Sequence, residues 1–375
     1  MKIAEETELS CMKELTVFIS TLFLMLNLSG CDELTTEERT VVEAFTHDMR
    51  EDCLGRMIVA VPRRFQWSPF SLATLYYGKG SDFRTIEVSV VDTNVESTVF
   101  ERRVNERIAE IQLHVSLESG SSIFRGAKKG ANGARFIERY QSIETIRAVT
   151  YEAHMLIEGV QVFIKADSYP GDGALIGNRV ERFVSEIEVM KSGGVGRADG
   201  FCLGPLLINS SQDYEVATFQ TLRRRGQEDV DFGFYTSSME RSGSGETLGG
   251  RVDEASDILG GVMTVLRKGR VSVAGEMSEE ALLRFEQFEG RHSLSFGLWS
   301  MRATPSLSTP SFTLEMSTAT ELAGEDAAPD NLNPIAYEPY RNSHAGRAAV
   351  KFDSKLTDRE AVGIWDAVVG SIRYR

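Results

Sequence analysis

The pattern of apolar and polar positions divides the chain sharply near residue 30. Residues 15–28, LTVFISTLFLMLNL, are interrupted only by Thr16, Ser20, Thr21 and Asn27. As a helix this run would reach ~21 Å at about 1.5 Å per residue, short of the ~30 Å of a hydrocarbon core. Its length suits a secretory h-region better than a membrane span. Beyond it no apolar run recurs, and short alternating or helically spaced segments take over.

Residues 32–50 are polar and acidic and suit a tether or a short leading helix. CLGRMIVAVP (53–62) reads as one strand closed by Pro62, and a second strand follows at 85–91. In 97–119 the residues Val104, Ile108, Ile111 and Val115 recur at helical spacing. Residues 143–169 hold two alternating runs that predict antiparallel strands, and 178–192 predicts a helix with Val180, Phe183, Val184 and Ile187 on one face. Strands are expected at 214–222, 230–237, 262–274, 292–300 and 311–317. The closing segment 356–375 is a helix whose Thr357 and Glu360 form a capping box, with Ala361, Ile364, Trp365, Val368 and Ile372 as its apolar stripe.

KSGGVGRADG (191–200) is the best linker, glycine-rich and directly followed by FCLGPLLIN. Both halves then open on Cys-Leu-Gly, at 53–55 and 202–204, and both close on an amphipathic helix. The expectation is an α+β protein of two similar domains, each a mainly antiparallel sheet with packed helices, related by internal duplication. Its boundaries are a leader at 1–30, a tether at 31–50, domains at 51–192 and 201–375, and a linker at 193–200, across which few contacts should pass. Residues 118–135, 237–255 and 322–347 read as long loops, a length that usually signals function or mobility.

Composition narrows the class. Of 375 residues, 42% are hydrophobic and 9% aromatic, which indicates real cores. The formal charge of −14 argues against nucleic acid, whose binding rests on basic surface. The only compact basic run, Arg223-Arg224-Arg225, suits a solvated edge or loop. Leu28-Ser29-Gly30-Cys31 resembles the bacterial lipobox, in which the cysteine is lipidated and becomes the mature N-terminus. The alternative is a buried N-terminal helix with an incidental cysteine. Residues 1–11 carry Glu5, Glu6 and Glu8 where a leader should be basic, so Met12-Lys13 is the expected start. Loss of residues 1–30 removes Lys2 and Lys13 against Glu5, Glu6, Glu8 and Glu14, and moves the formal charge from −14 to −12. Cys53 and Cys202 then remain, either bridged in an oxidising compartment or as separately buried thiols.

Catalytic and metal motifs are hard to find. His47, His114, His154, His292 and His344 have no partner at metal-ligand spacing, so no metal site is expected, and none needs a cofactor. Ser242-Gly243-Ser244-Gly245 is not a nucleophile elbow. Gly171, Gly173 and Gly177 miss the dinucleotide spacing by one residue, and Asp231-Phe232-Gly233 matches the kinase triplet in letters only. No catalytic residue is assigned.

Four segments resemble the immunity proteins that neutralise type VI secretion lipase effectors. They are DCLGRMIVAVP (52–62), GFCLGPLLIN (200–209), LRKGRVSVAGEMSEE (266–280) and LTDREAVGIWDAVVGSIRYR (356–375). Pro205 departs from the family's pattern. The resemblance implies a periplasmic antidote, tethered to the membrane through Cys31, that binds its cognate phospholipase effector stoichiometrically and turns over nothing. Asp32 after the lipidated cysteine implies retention at the inner membrane. Cys53, Gly55, Arg56, Trp365 and Asp366 read as fold-defining, and recognition is expected in the loops 118–135, 237–255 and 322–347, with Tyr337 and Tyr340, or in the groove between the domains. The alternative is an envelope lipoprotein that holds a small molecule or polymer between its domains.

Overall fold

The structure is a computed structural model that describes residues 34–67, 71–78, 84–190, 200–222, 230–239, 247–286, 290–300, 302–318 and 353–375. The 1–30 leader, Cys31, the linker at 193–199, the Arg223–Arg225 run, Tyr337, Tyr340 and the whole of 322–347 lie outside the described residues. The described residues form five helices: α1 (Thr36–Thr46), α2 (Ser97–Leu113), α3 (Gly173–Val184), α4 (Leu248–Leu259) and α5 (Asp358–Val369). Every strand pairing among the described residues is antiparallel, so the class is α+β.

One thirteen-stranded sheet dominates. From the N-terminal half come β4 (Leu72–Tyr77), β5 (Arg84–Asp92), β6 (Phe124–Lys129), β7 (Arg135–Ser142), β8 (Thr145–Ile157) and β9 (Val160–Ser168). From the C-terminal half come β13 (Tyr214–Leu222), β14 (Val230–Ser237), β15 (Met263–Val273), β16 (Glu276–Glu286), β17 (His292–Ser300) and β18 (Ser311–Thr318). The order is β15-β16-β17-β18-β14-β13-β4-β5-β9-β8-β7-β6, and the short β3 (Gln66–Trp67) also pairs β13. Reading outward from the centre, the first half runs 4-5-9-8-7-6 and the second 13-14-18-17-16-15, the same order in each. The halves join where β13 meets β4, with Val216 opposite Thr74 and Ala217 opposite Ala73.

Two small sheets interlock the halves further. Strands β1 (Met49–Leu54) and β2 (Met57–Pro62) form a hairpin, and β2 also pairs β19 (Arg373–Tyr374) from the end of the other half. Strands β11 (Phe201–Leu203) and β12 (Leu206–Ile208) form the second hairpin, and β12 pairs β10 (Ile187–Val189), which follows α3 of the first half. The expectation of few contacts across the linker is therefore corrected: each half lends its last short strand to the other's opening hairpin. The single strand expected at 53–62 is also corrected. Gly55 at φ +64° turns the chain between β1 and β2, and Gly204 at φ +57° does the same in the second hairpin. A side chain at Gly55 would be strained there and would meet Thr236 Oγ1 at 2.9 Å.

The inner face of the large sheet carries the core, with Ala73, Leu75, Ile86, Val88, Phe219, Phe232, Phe234, Phe296, Leu298, Phe312 and Leu314 all buried. They alternate along their strands with residues that point the other way. α1, α3, α5 and the small sheets close this face, and one apolar cluster runs through both halves. Thr35 and Glu38 cap α1 as a capping box, as Thr357 and Glu360 cap α5. The two helices approach so closely that a Cβ at Gly363 would lie 2.8 Å from Val42.

The resemblance segments meet in pairs. Cys53 and Cys202 are disulfide-bonded, with Cα atoms 5.7 Å apart, and Gly55 and Cys202 exchange backbone hydrogen bonds beside them. Arg56 donates to the buried carboxylate of Glu215 on β13. Burial pushes the Glu215 pKa up, and the Arg56 and Gln212 contacts only partly offset it. At the other end Trp365 is fully buried, edge-on to Phe296, and its Nε1 donates to Glu280 at 3.1 Å. Arg267 of β15 pairs with both Glu280 and Asp366, and these contacts raise its pKa. Cys53, Gly55, Arg56, Trp365 and Asp366 thus hold elements together, and three of their contacts, Cys53–Cys202, Gly55–Cys202 and Arg56–Glu215, cross the seam.

Candidate functional site

The crossover helices α2 and α4 both lie on the outer face of the large sheet, away from the core. Each follows the second strand of its half and leads to that half's outer edge. Between them no described element covers the outer face of the central strands. Its composition follows from the register. Trp299, Thr313, Tyr235, Thr218 and Leu72 stand in one row across β17, β18, β14, β13 and β4, continued by Ser89 and Phe163 on β5 and β9. A parallel row carries Val216, Thr74, Glu87 and Lys165. Burial of Tyr76, and its proximity to Tyr235 and Glu87, raise its pKa, which places these three groups in one neighbourhood at the seam.

Over the first half, this face is sealed. α2 buries Phe100, Val104, Arg107 and Ile111 against it. Arg107 reaches Glu152 at 2.7 Å, and Arg139 reaches the same carboxylate at 2.6 Å. Glu152 is fully buried. Burial pushes its pKa up, but the His154 ring 3.5 Å away, the hydrogen bonds from Arg107 and the charges of Arg107 and Arg139 outweigh it and hold the pKa well below the usual carboxylate range. One turn earlier on α2, Arg103 binds Gln161 and Asp92. Asp167 accepts from Thr150 and Gln141. His154 is therefore a buried partner of Glu152 and packs on Phe163.

Over the second half, the described residues leave the same face open. α4 is shorter and buries only Val252 among its residues. Beside it lies a concavity of about 390 Å³, lined by Thr218, Gln220, Tyr235, Arg251, Trp299 and Glu315 among others. Gly233 forms part of its floor, where a Cβ would find nothing closer than 3.9 Å. Arg251 of α4 stacks over Trp299, 5.1 Å from the ring centroid. Among the described residues Thr218, Gln220, Thr313 and Glu315 make no side-chain hydrogen bond or ion pair. Each crossover helix also ends in exposed apolar residues: Leu113, Val115 and Leu117 beside Ile143 in one half, Ile258, Leu259, Val262 and Val265 in the other.

The loops expected to carry recognition are largely something else. Residues 118–135 hold β6 and a 3₁₀ turn at Ala131–Gly133, and 237–255 runs into α4, with 240–246 outside the described residues. The residues of the concavity were missed because Thr218, Tyr235, Thr313 and Glu315 read as the solvated side of ordinary strands. No cluster among the described residues can hold a metal ion, and no helix among them is long and apolar enough to cross a membrane.

Comparison with known proteins places the chain. Residues 195–375 match the family model described as the Tle cognate immunity protein 4 C-terminal domain. No curated protein sequence matches. The crystal structure of a Tle4–Tli4 complex superposes with a TM-score of 0.63 at 18% identity, over 88% of this chain and 98% of the other. The apo structure of the type VI immunity protein TplEi from Pseudomonas aeruginosa gives 0.62 at 17% identity, over 87% and 97%. TplEi complexed with an "L" peptide gives 0.58 at 16%, over 88% and 99%. These likenesses extend the shared fold over both halves, and the match to the Tle cognate immunity protein 4 C-terminal domain covers residues 195–375.

Proposed function

We propose that this chain is an immunity protein that binds and neutralises a type VI secretion phospholipase effector in the periplasm, as a stoichiometric inhibitor. The family match over 195–375 is the observation that carries the reading. The open outer face supplies the surface. It spans the seam, so both halves contribute, and it offers polar groups that have no partner among the described residues beside aromatic rings, with exposed apolar residues at the ends of both crossover helices. An inhibitor that must act before membrane damage needs nanomolar affinity, about −12 kcal/mol, and an interface of roughly 1,600 Å². Such an area exceeds what one loop presents.

Three finer parts belong to the same reading. Cys31 is lipidated and tethers the chain at the membrane that the effector attacks, with Asp32 directing it to the inner membrane. The chain acts by binding and turns over no substrate. The repeated strand order, the paired Cys-Leu-Gly hairpins and the disulfide between their equivalent cysteines support an origin by internal duplication.

Co-expression tests the function. Periplasmic effector alone should be toxic, and residues 31–375 behind a signal peptide should restore growth, whereas a version confined to the cytoplasm should not. Protection from the cytoplasm, or a purified chain that neither binds nor inhibits the lipase, would hand the case to a lipoprotein that binds a small molecule or polymer. Mass spectrometry of the membrane-extracted protein decides lipidation: an intact 12–30 segment before an unmodified Cys31 removes the anchor.

A further inference from the structure

We infer that the concavity beside α4 is a socket for a basic side chain, an arginine or lysine that the effector inserts as an anchor of the interface. The inference rests on the immunity reading for the identity of the partner, and on the geometry for the chemistry.

Glu315 stands on β18 with Gly233 opposite it on one side and Gly297 on the other, so no neighbouring side chain in its own row crowds the carboxylate. It has no ion-pair or hydrogen-bond partner among the described residues. Around it stand Gln220 and Thr218, whose side-chain oxygens can accept hydrogen bonds, and the rings of Tyr235 and Trp299. A carboxylate, neutral acceptors and aromatic faces together suit a cation: the charge pairs with the carboxylate, the N–H donors find acceptors and the rings add cation–π attraction. Arg251 already occupies the Trp299 ring, so Glu315, the acceptors beside it and the Tyr235 ring are what the lining offers to an incoming cation. An acidic anchor would meet Glu315 head-on, and an apolar one would strip water from Glu315, Gln220, Thr218 and Thr313 without replacing its hydrogen bonds. The formal charge of −14 gives the same preference at long range and would speed encounter with a basic surface.

The socket also explains the glycine. At Gly233 a Cβ meets nothing within 3.9 Å, so packing does not demand a glycine there, yet any larger side chain would project into the concavity. A strand that gives up a side chain at a central position leaves room for one from outside.

Two measurements test the inference. In the first, N-acetyl-arginine amide and N-acetyl-glutamate amide are titrated into the full mature chain and followed by backbone and indole amide shifts. The arginine probe should move the signals of Gly233, Tyr235, Trp299 and Glu315 at millimolar concentration, the glutamate probe should not, and Glu315→Gln should abolish the response. Equal response to both probes, or none to arginine, overturns the socket. In the second, binding to the lipase identified by co-expression is measured for Glu315→Gln, Glu315→Lys and Glu37→Lys, the last an exposed acid on α1 across the molecule. Glu315→Lys should weaken binding about 10- to 100-fold, as loss of a close charge pair does, Glu315→Gln less, and Glu37→Lys not beyond the small salt-dependent change of a distant charge. A lysine-to-glutamate or arginine-to-glutamate change on the effector should then restore affinity to Glu315→Lys selectively. If wild type binds the lipase and Glu315→Lys binds it equally well, the socket is wrong while the immunity reading stands. If wild type does not bind, the immunity reading fails, and the amide titration still decides the socket.

Discussion

The two halves of the sheet share one strand order and differ in what covers their outer face. In the first half the seventeen-residue α2 lies on β6, β7 and β8 and buries four side chains, and the acids beneath it are paired: Glu152 by Arg107 and Arg139, Asp92 by Arg103, which also binds Gln161. In the second half the twelve-residue α4 buries one side chain, and Thr218, Gln220, Thr313 and Glu315 are left without partners among the described residues. The same architecture serves as a closed support on one side and as an open surface on the other. Polar groups that satisfy each other stiffen a face, while polar groups left to water keep it available to a partner.

The strongest way to break this contrast is to unseal the first half. Glu152→Gln leaves Arg139 buried without its counter-charge and Arg107 with only the more exposed Glu110, which should cost about 3 kcal/mol. Urea denaturation reads it directly. A loss below ~1 kcal/mol would mean that α2 is held by its apolar stripe alone, against the usual penalty for an uncompensated buried charge. The next effect belongs to the seam. Reduction of the Cys53–Cys202 bridge, or Cys53→Ser with Cys202→Ser, frees a loop closed over a separation of 149 residues and should cost about 2–4 kcal/mol. Because β4–β13 pairing persists without the bridge, unfolding should remain a single transition; two separated transitions would show that the halves are independent after all.

Acid should act through the same Glu152 network. The folded pKa of Glu152 lies below its value in an unfolded chain, ~4.3 for a free glutamate. Its contribution is therefore complete above that value and is lost as pH falls towards the folded pKa. Denaturation midpoints measured from pH 7 to pH 3 should fall on the acid side in wild type, and the fall should be shallower in Glu152→Gln. The smallest effect should carry opposite signs in its two readouts. Gly233→Val adds a β-branched side chain to an open strand position, and should stabilise the fold by about 0.5–1 kcal/mol while weakening effector binding by obstructing the concavity. A variant that gains stability and keeps full affinity would remove the concavity from the interface.

Much of the fold was legible from period alone. Strands β13, β14 and β17 fall where alternation puts them, because each has one face in the core and one in solvent. The capping box at Thr357 and the buried Trp365 stripe of α5 were equally plain. Local conflict hid the rest. The segment Phe124–Lys129 carries Arg125, Lys128 and Lys129 around a single aromatic, an edge-strand composition that reads as a loop. Gly249 and Gly250 weaken the helical signal of α4, although Thr247 caps it. At 178–192 the helical period was right but its limits were not: α3 starts at Gly173 and stops at Val184, where Ser185 and the turn into β10 interrupt it. Arg107 was invisible as a buried residue, because a charge on a helix normally faces water and its partner lies forty-five positions away. The concavity was illegible for a different reason. It arises from the register of strands distant in sequence, and no segment of the chain contains it.

The exchange of terminal strands has a temporal consequence. β2, in the first opening hairpin, finds its outer neighbour only in Arg373 and Tyr374, and β4 finds its own only in β13. A growing chain that has made the first half alone would therefore display three strands short of a neighbour, β2, β4 and β10, each a template for the wrong one. The order of synthesis thus makes a nascent first half an obligate client of whatever holds extended chains apart until the second half arrives. Shortening the chain by the few residues of β19 should then lower the yield of soluble protein far more than it lowers the stability of the molecules that do fold.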